Sequence, residues 1–225
     1  MKRIIIAIDG PAASGKSTTA KLLARKLRYL YLDTGAMYRA CALAAKRQNI
    51  DIDDSEALKG LMDSIQIKIQ YSELGNITLL DSEDVSLAIR EPEISLLASA
   101  ISAKAVVRTK MVELQREMGK AGGVILDGRD IGTVVFPEAE LKIFLVAPVQ
   151  IRAQRRFLEL QDKGLNPIFE EVLSELKERD LADSSRALAP LIPARDAIEI
   201  DTGQLSIEGQ VAKLYQYYQK RMAGL

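Results

Sequence analysis

The sequence predicts an α/β fold: a five-stranded parallel core sheet flanked by helices, with a small antiparallel β-containing insert and a helical flap. Three observations predict it. Short apolar runs, several of them β-branched, recur with helix-forming stretches between them, which is the pattern of βαβ units. The first run feeds a glycine loop that opens an amphipathic helix. One stretch alternates apolar and polar residues around a Gly-Asn pair, the pattern of a hairpin.

In chain order, Ile4 to Ile8 is continuous and mostly β-branched, as expected of a strand buried on both faces. Ala20, Leu23, Ala24 and Leu27 follow at i, i+3, i+4, i+7 and share one helix face. Tyr29 to Leu32 forms the second strand and ends at Asp33. Within residues 65–87, Ile65 to Tyr71 alternates, Gly75-Asn76 is the expected turn, and Ile77 to Leu80 returns. This hairpin is expected between sheet strands two and three. Val124 to Leu126, Leu141 to Val146 and Ala197 to Ile200 complete the sheet. Residues 152–190 hold Arg152, Arg155, Arg156, Arg179 and Arg186 among charged helix formers, and are expected to form a mobile flap. The last helix places Ile207, Val211, Leu214, Tyr215 and Tyr218 on one stripe.

Composition narrows the functional classes. At ~150 residues per domain, 225 residues make one large domain or one with a sizeable insertion. The 31 basic residues balance 31 acidic ones, which argues against a nucleic-acid partner. Histidine is absent, which removes imidazole acid–base chemistry, Ser-His-Asp and Cys-His catalysis and most transition-metal sites. A lone cysteine, Cys41, permits no internal disulfide and points to the reducing cytoplasm. The apolar runs 4–8 and 143–149 are too short for a signal-peptide core or a membrane span, so no membrane partner is expected.

Gly10-Pro11-Ala12-Ala13-Ser14-Gly15-Lys16-Ser17 satisfies G-x-x-x-x-G-K-[ST], the P-loop. By composition such a string arises by chance on the order of once per hundred chains of this length. Its place between a buried strand and an amphipathic helix is the context the chemistry requires. Loop and helix N–H groups face phosphates, Lys16 reaches the β/γ oxygens and the Ser17 hydroxyl reaches Mg²⁺. No Asn-Lys-x-Asp guanine motif and no Leu-Ser-Gly-Gly-Gln motif is present. Arg129 lies in Asp127-Gly128-Arg129-Asp130, directly after a buried strand, at the carboxyl edge where α/β ligands bind. Asp127 is placed to hold Mg²⁺ through water. Asp33-Thr34-Gly35 occupies the matching edge of the second strand.

Ile8-Asp9-Gly10-Pro11, Tyr31 to Ala40, Asp127 to Pro137, and Arg179-Asp180 through Asp183 and Arg186 to Pro190-Leu191 together resemble the bacterial cytidylate kinases. These are nucleoside monophosphate kinases for CMP and dCMP, and the resemblance covers nearly the whole chain. It implies an enzyme that uses ATP and Mg²⁺ to phosphorylate CMP and dCMP in pyrimidine nucleotide metabolism; a monomer is the default expectation. Residues 1–34, 105–151 and 191–225 are the expected core, 35–104 the acceptor-binding region with its insert at about 63–90, and 152–190 the lid. Carried over by position, the acceptor phosphate contacts fall on Thr34, Arg39, Arg129 and Arg186. The cytosine readers fall on Ser99, Arg108 and Asp130, with Tyr38 beside the base. The ribose contacts fall on Arg179 and Asp183. Lys16, Arg129, Arg179 and Arg186 are the expected catalytic residues. The ATP side comprises residues 10–17, Thr18 and Arg155, and the metal side Ser17 and Asp127. Alternatives are a kinase for UMP or another nucleoside monophosphate, and a nucleotide-gated binding module. Two departures from the family pattern stand out: Arg28 where Gly is more usual, and Gly203 for Ser or Thr. Gly209 is also expected to weaken the last helix by ~1 kcal/mol.

Overall fold

A computed structural model describes residues 3–72 and 75–224. In chain order the elements are β1 (Ile5–Asp9), α1 (Lys16–Leu27), β2 (Leu30–Asp33), α2 (Thr34–Arg47), α3 (Ser55–Ser64), β3 (Ile67–Ser72), β4 (Gly75–Leu80), β5 (Glu83–Asp84), α4 (Pro92–Ile101), α5 (Ala105–Gly119), β6 (Val124–Gly128), β7 (Leu141–Val146), α6 (Val149–Asp162), α7 (Phe169–Ser185), β8 (Ile198–Asp201) and α8 (Ile207–Ala223). Two compact units arise, residues 1–29 with 122–225, and residues 30–121.

The five sheet strands take the order β2-β6-β1-β7-β8, and the strand pairs on either side of β1, with β8 beyond β7, are parallel. β1 is central because it is apolar on both faces. Ile4, Ile6, Ala7 and Ile8 are fully buried, and Ile6 lies in register with Ile125 and Leu141. In the first unit α1 buries Thr19, Ala20, Leu23 and Ala24 as the spacing predicts, with Leu27 half-buried. It packs on α8. The stripe expected on α8 is only partly covered: Leu214 is buried, Tyr215 and Tyr218 are half-buried, and the polar Gln210 lies inward. Gly209 is in the first turn of α8, where its N–H donates to the capping Ser206 Oγ at 3.1 Å. The ~1 kcal/mol penalty expected of a mid-helix glycine therefore does not apply in full.

α1 ends with Arg28 at φ 54° and ψ 42°, in the left-handed region that glycine normally fills. Tyr29 N–H donates to the Ala24 carbonyl at 2.9 Å and Arg28 N–H to the Arg25 carbonyl at 3.3 Å, the Schellman pattern. The turn is thus the ordinary one, with a side chain strained in it. Arg28→Gly is expected to stabilise the protein by about 0.5–1 kcal/mol, since relief of the left-handed strain exceeds the added unfolded-chain entropy. A thermal melt reads this as a rise of roughly 1–4 °C. The Arg3 guanidinium accepts no loss, because it donates to the Arg28 carbonyl at 2.7 Å.

The second unit contains β2, helices α2 to α5 and a three-stranded antiparallel sheet in the order β3-β4-β5. The alternation reads out as predicted: Ile67, Thr78 and Leu80 are buried while Lys68 and Gln70 are exposed. Gly75 and Asn76 are not the turn. They open β4, opposite Ser72 and Tyr71, and the two residues between the strands lie outside the described residues. Asn76 instead donates its amide to the Tyr31 carbonyl at 2.5 Å, a tertiary tie that overrides the local turn preference. β5 has two residues, too few to carry a period.

α2 is buried along most of its length, and its Cys41 thiol, pushed up to about 12 by burial, donates to Met111 Sδ at 3.6 Å. The unit boundaries fall at 29/30 and 121/122, which differs from the division expected from sequence. α5 lies with the second unit because it packs on α2 and α3. Residues 152–190 lie with the first unit, where α6 and α7 pack together. Their apolar cluster joins Ala153, Val172 and Leu176 to Ala12 of the glycine loop. Among the described residues no helix is long and apolar enough to cross a membrane.

Candidate active site

The glycine loop leaves β1 at Gly10, whose φ is 145° and whose α-carbon faces the Leu145 backbone carbonyl so closely that a Cβ would collide with it. Gly15 has φ 91°, and a Cβ there would lie 2.7 Å from Gln210 Oε1. Ala13 takes φ 58°. No side chain caps the N-terminus of α1. Its first N–H groups and the positive end of its dipole therefore remain available to an anion. Lys16 is buried and donates to the Pro11 carbonyl at 2.6 Å, with Ser14 Oγ at 3.4 Å. Burial holds its ammonium well below the usual lysine range, Arg129 and Arg179 push it further down, and Asp127 and Asp9 oppose them. Ser17 is exposed and its hydroxyl donates to Asp127 Oδ2 at 2.6 Å.

Beyond β6 the chain turns through Arg129 and Asp130 into a π-helical turn, Ile131–Val135. Arg129 Nε donates to Asp183 Oδ2 at 2.7 Å, and Arg186 donates to the other oxygen of the same carboxylate. Asp183, on α7, is 1 % exposed. Burial pushes its pKa up, but Arg129, Arg186 and Arg179 outweigh burial and the net shift is downward. The structure thus joins four residues singled out in the sequence, Arg129, Arg179, Asp183 and Arg186, into one charged network beside Lys16.

The second unit carries the remaining candidates. Asp33 caps α2 by accepting the Ala36 N–H at 2.8 Å and also holds Arg39 at 3.1 Å. Thr34 is buried in the first turn of α2. Arg108 is buried, donates to the Ser102 carbonyl at 3.2 Å and has its guanidinium carbon 6.0 Å from the Tyr38 ring centroid. Ser99 is half-buried on α4, and its carbonyl accepts the Ser102 hydroxyl at 2.8 Å.

Arg155 is engaged by protein. It donates to the Thr202 carbonyl at 2.6 Å and to Thr202 Oγ1 at 3.2 Å. The Thr202 hydroxyl donates to the Ser14 carbonyl at 3.0 Å, so Arg155 reaches the glycine loop at second hand. Thr202 and Gln210 escaped the sequence reading. Gln210 Oε1 accepts the Thr19 hydroxyl at 2.8 Å behind Gly15, and the one available signal was a polar residue on the inward stripe of α8. Arg152 is a third. It is 5 % exposed, donates to the Ala147 carbonyl at 2.9 Å and the Ala12 carbonyl at 3.2 Å, and grips Asp180 with two bonds at 3.1 and 2.6 Å. Gly203, where the family favours Ser or Thr, is tight. A Cβ would lie 3.0 Å from Asp201 Oδ1 and 3.2 Å from Pro148 Cδ.

Among the described residues no three carboxylate, cysteine or histidine side chains cluster to hold a metal. The donor set available to a divalent cation is the Ser17 hydroxyl and the Asp127 carboxylate, two hard oxygens already within hydrogen-bond reach of each other. That pair fits Mg²⁺, which takes few protein ligands and completes its shell with water and phosphate oxygens.

Comparison with known proteins identifies the family. The cytidylate kinase family model matches residues 6–220. A cytidylate kinase of Enterococcus faecalis is 51% identical over 95% of this chain and 95% of its own. One of Caldicellulosiruptor saccharolyticus is 49% identical over 98% of this chain and 97% of its own. Among solved structures, a shikimate kinase from Bacteroides thetaiotaomicron shares the fold with a TM-score of 0.50 at 12% identity, covering 97% of this chain and 99% of its own. By its sequence over nearly its full length, this chain belongs to the cytidylate kinase family.

Proposed function

We propose that the protein transfers the γ-phosphoryl group of ATP to CMP and dCMP, giving ADP with CDP or dCDP. The observation that carries this reading is the cationic network around the glycine loop. Burial first, and then the charges of Arg129 and Arg179, depress the Lys16 ammonium, and Arg186 joins Arg129 on one carboxylate. Like charges gathered at an uncapped helix N-terminus suit a polyanion.

An oxygen of the acceptor phosphate attacks the γ-phosphorus. The bond to the bridging β–γ oxygen breaks, and its electron pair leaves with ADP. The acceptor is already an anion near neutral pH, so no general base is needed and the absence of histidine costs nothing. The chain contributes positioning and charge. Loop N–H groups and Lys16 orient the donor phosphates. Arg129 and Arg186, aimed by Asp183, present paired N–H donors of the geometry that a phosphate accepts. Ser17 and Asp127 are the residues that would hold Mg²⁺, and the ion would neutralise charge on the phosphate oxygens. Thr34 and Arg39 contact the acceptor phosphate, Tyr38, Ser99, Arg108 and Asp130 the base, and Arg179 and Asp183 the ribose. Residues 152–190 act as the lid whose closure excludes water, which would otherwise take the phosphoryl group.

Base choice gives the test. Uracil presents a carbonyl where cytosine presents an amino group, so an ionised Asp130 accepts from one and repels the other. Asp130→Ala is expected to lower kcat/KM for CMP much more than for UMP, narrowing the preference by about 1–3 kcal/mol. Arg129→Ala is expected to damage both substrates alike, because they carry the same phosphate. Steady-state kinetics of both variants on both nucleotides decide it. Equal loss on CMP and UMP in Asp130→Ala would remove Asp130 from base recognition.

A further inference from the structure

Asp9 has no place in the mechanism above, yet it is among the most deeply held charged groups in the first unit. It ends β1, immediately before Gly10, and is 5 % exposed. Its Oδ1 accepts the Ile131 N–H at 2.9 Å and its Oδ2 accepts the Gly132 N–H at 2.8 Å. These are the first two amides of the π-helical turn that follows Asp130. The opening of such a turn leaves N–H groups without a partner inside it. Asp130 does not cap them with its own side chain. Its carbonyl is spent on the other end of the turn, accepting Val134 N–H at 2.9 Å and Val135 N–H at 3.2 Å. The cap therefore comes from a carboxylate 122 residues away in sequence.

We propose that Asp9 is a positioning residue for the acceptor nucleotide, locking the turn that carries Arg129 and Asp130 to the root of the glycine loop. The proposal rests on the reading that Arg129 and Asp130 handle the acceptor. Asp9 is joined covalently to Gly10 on one side and by two hydrogen bonds to Ile131 and Gly132 on the other. The spacing between Lys16 and Arg129 is then set by rigid elements. Gly132 serves the same contact. A Cβ there would lie 3.4 Å from Asp9 Oδ2 and 3.2 Å from the Lys142 stem. The carboxylate is kept at a cost, for burial pushes it up to about 6 against the lowering effect of the two amides. The charged groups around it are Asp130, which raises it further, and Lys16, which lowers it. The Lys142 stem also lies against Gly132, while its ammonium is engaged by the Pro137 carbonyl and Asp196.

The experiment compares Asp9→Asn, Asp9→Ala and Arg129→Ala by steady-state kinetics, varying CMP and ATP separately. Asp9→Asn keeps one acceptor oxygen, so it should raise KM for CMP about tenfold and Asp9→Ala about a hundredfold, as expected for a misplaced contact group. KM for ATP should change less, by about threefold at most, since Asp9 makes no hydrogen bond to Lys16 and reaches it only through its charge. A merely structural role would move both KM values together, and that result would overturn the proposal. No change in either Asp9 variant, with Arg129→Ala impaired on CMP, would overturn it while leaving the acceptor reading intact. No effect of Arg129→Ala on CMP would instead remove the acceptor reading, and the Asp9 proposal with it. Should the variants fail to fold, the native protein supplies the test. The amides of Ile131 and Gly132, held by Asp9 Oδ1 and Oδ2, should be protected from hydrogen exchange, and their protection should fall together as acid protonates the Asp9 carboxyl, which burial raises. Amides that exchange as fast as those of exposed loops would overturn the clamp.

Discussion

Lys16→Ala is expected to lower kcat for CMP phosphorylation by 10²-fold or worse while the fold survives. The size follows from removing a fixed cation from the transferred group, which typically costs ~3 kcal/mol or more of transition-state stabilisation. The survival of the fold follows from what Lys16 does without nucleotide. Among the described residues its ammonium donates to the Pro11 carbonyl and, weakly, to Ser14 Oγ, and burial together with Arg129 holds it well below the usual lysine range. A buried cation beside two arginines destabilises its surroundings until phosphates arrive, so its removal should not lower the melting temperature. Unchanged circular dichroism with near-normal turnover would reject the assignment. Lost turnover with a collapsed melt would reject the claim that Lys16 is held for chemistry alone.

Arg152→Ala is expected to cost about 3 kcal/mol of stability, the lower end of the range for breaking a buried ion pair. Four bonds are lost at once, to the Ala147 and Ala12 carbonyls and to both oxygens of Asp180. Asp180 keeps 27 % of its side-chain surface exposed, so water relieves part of the penalty. A urea titration reads the loss. The double variant Arg152→Met/Asp180→Leu should recover much of it, because apolar residues of similar size remove both partners together. Equal stability of Arg152→Ala and the native protein would show that α7 is held to the glycine loop by its apolar contacts alone.

The P-loop and its helix were legible because their information is local. Gly10, Gly15, Lys16 and Ser17 act through backbone conformation and a helix N-terminus that lie within eight residues of one another. The hairpin strands were legible for the same reason, since a period of two is written in the strand itself. The placement of Gly75-Asn76 was not. A Gly-Asn pair favours a turn, but the Asn76 amide finds the Tyr31 carbonyl 45 residues away, and that contact decides. The two-residue β5 carried too little pattern to be seen.

By itself the sequence determined the α/β class, the buried strands, the anion-binding loop and, through the resemblance, the family. Only the tertiary structure decided the strand order β2-β6-β1-β7-β8, and with it which carboxyl ends become neighbours. It alone paired Asp183 with Arg129 and Arg186, Arg152 with Asp180 and the Ala12 carbonyl, and Asp9 with the amides of Ile131 and Gly132. The physical reason is the range of the interactions. Propensity and periodicity are summed along a few turns of chain, whereas a carboxylate selects its hydrogen-bond donors in space, from whichever groups the packed strands and helices bring within 3 Å.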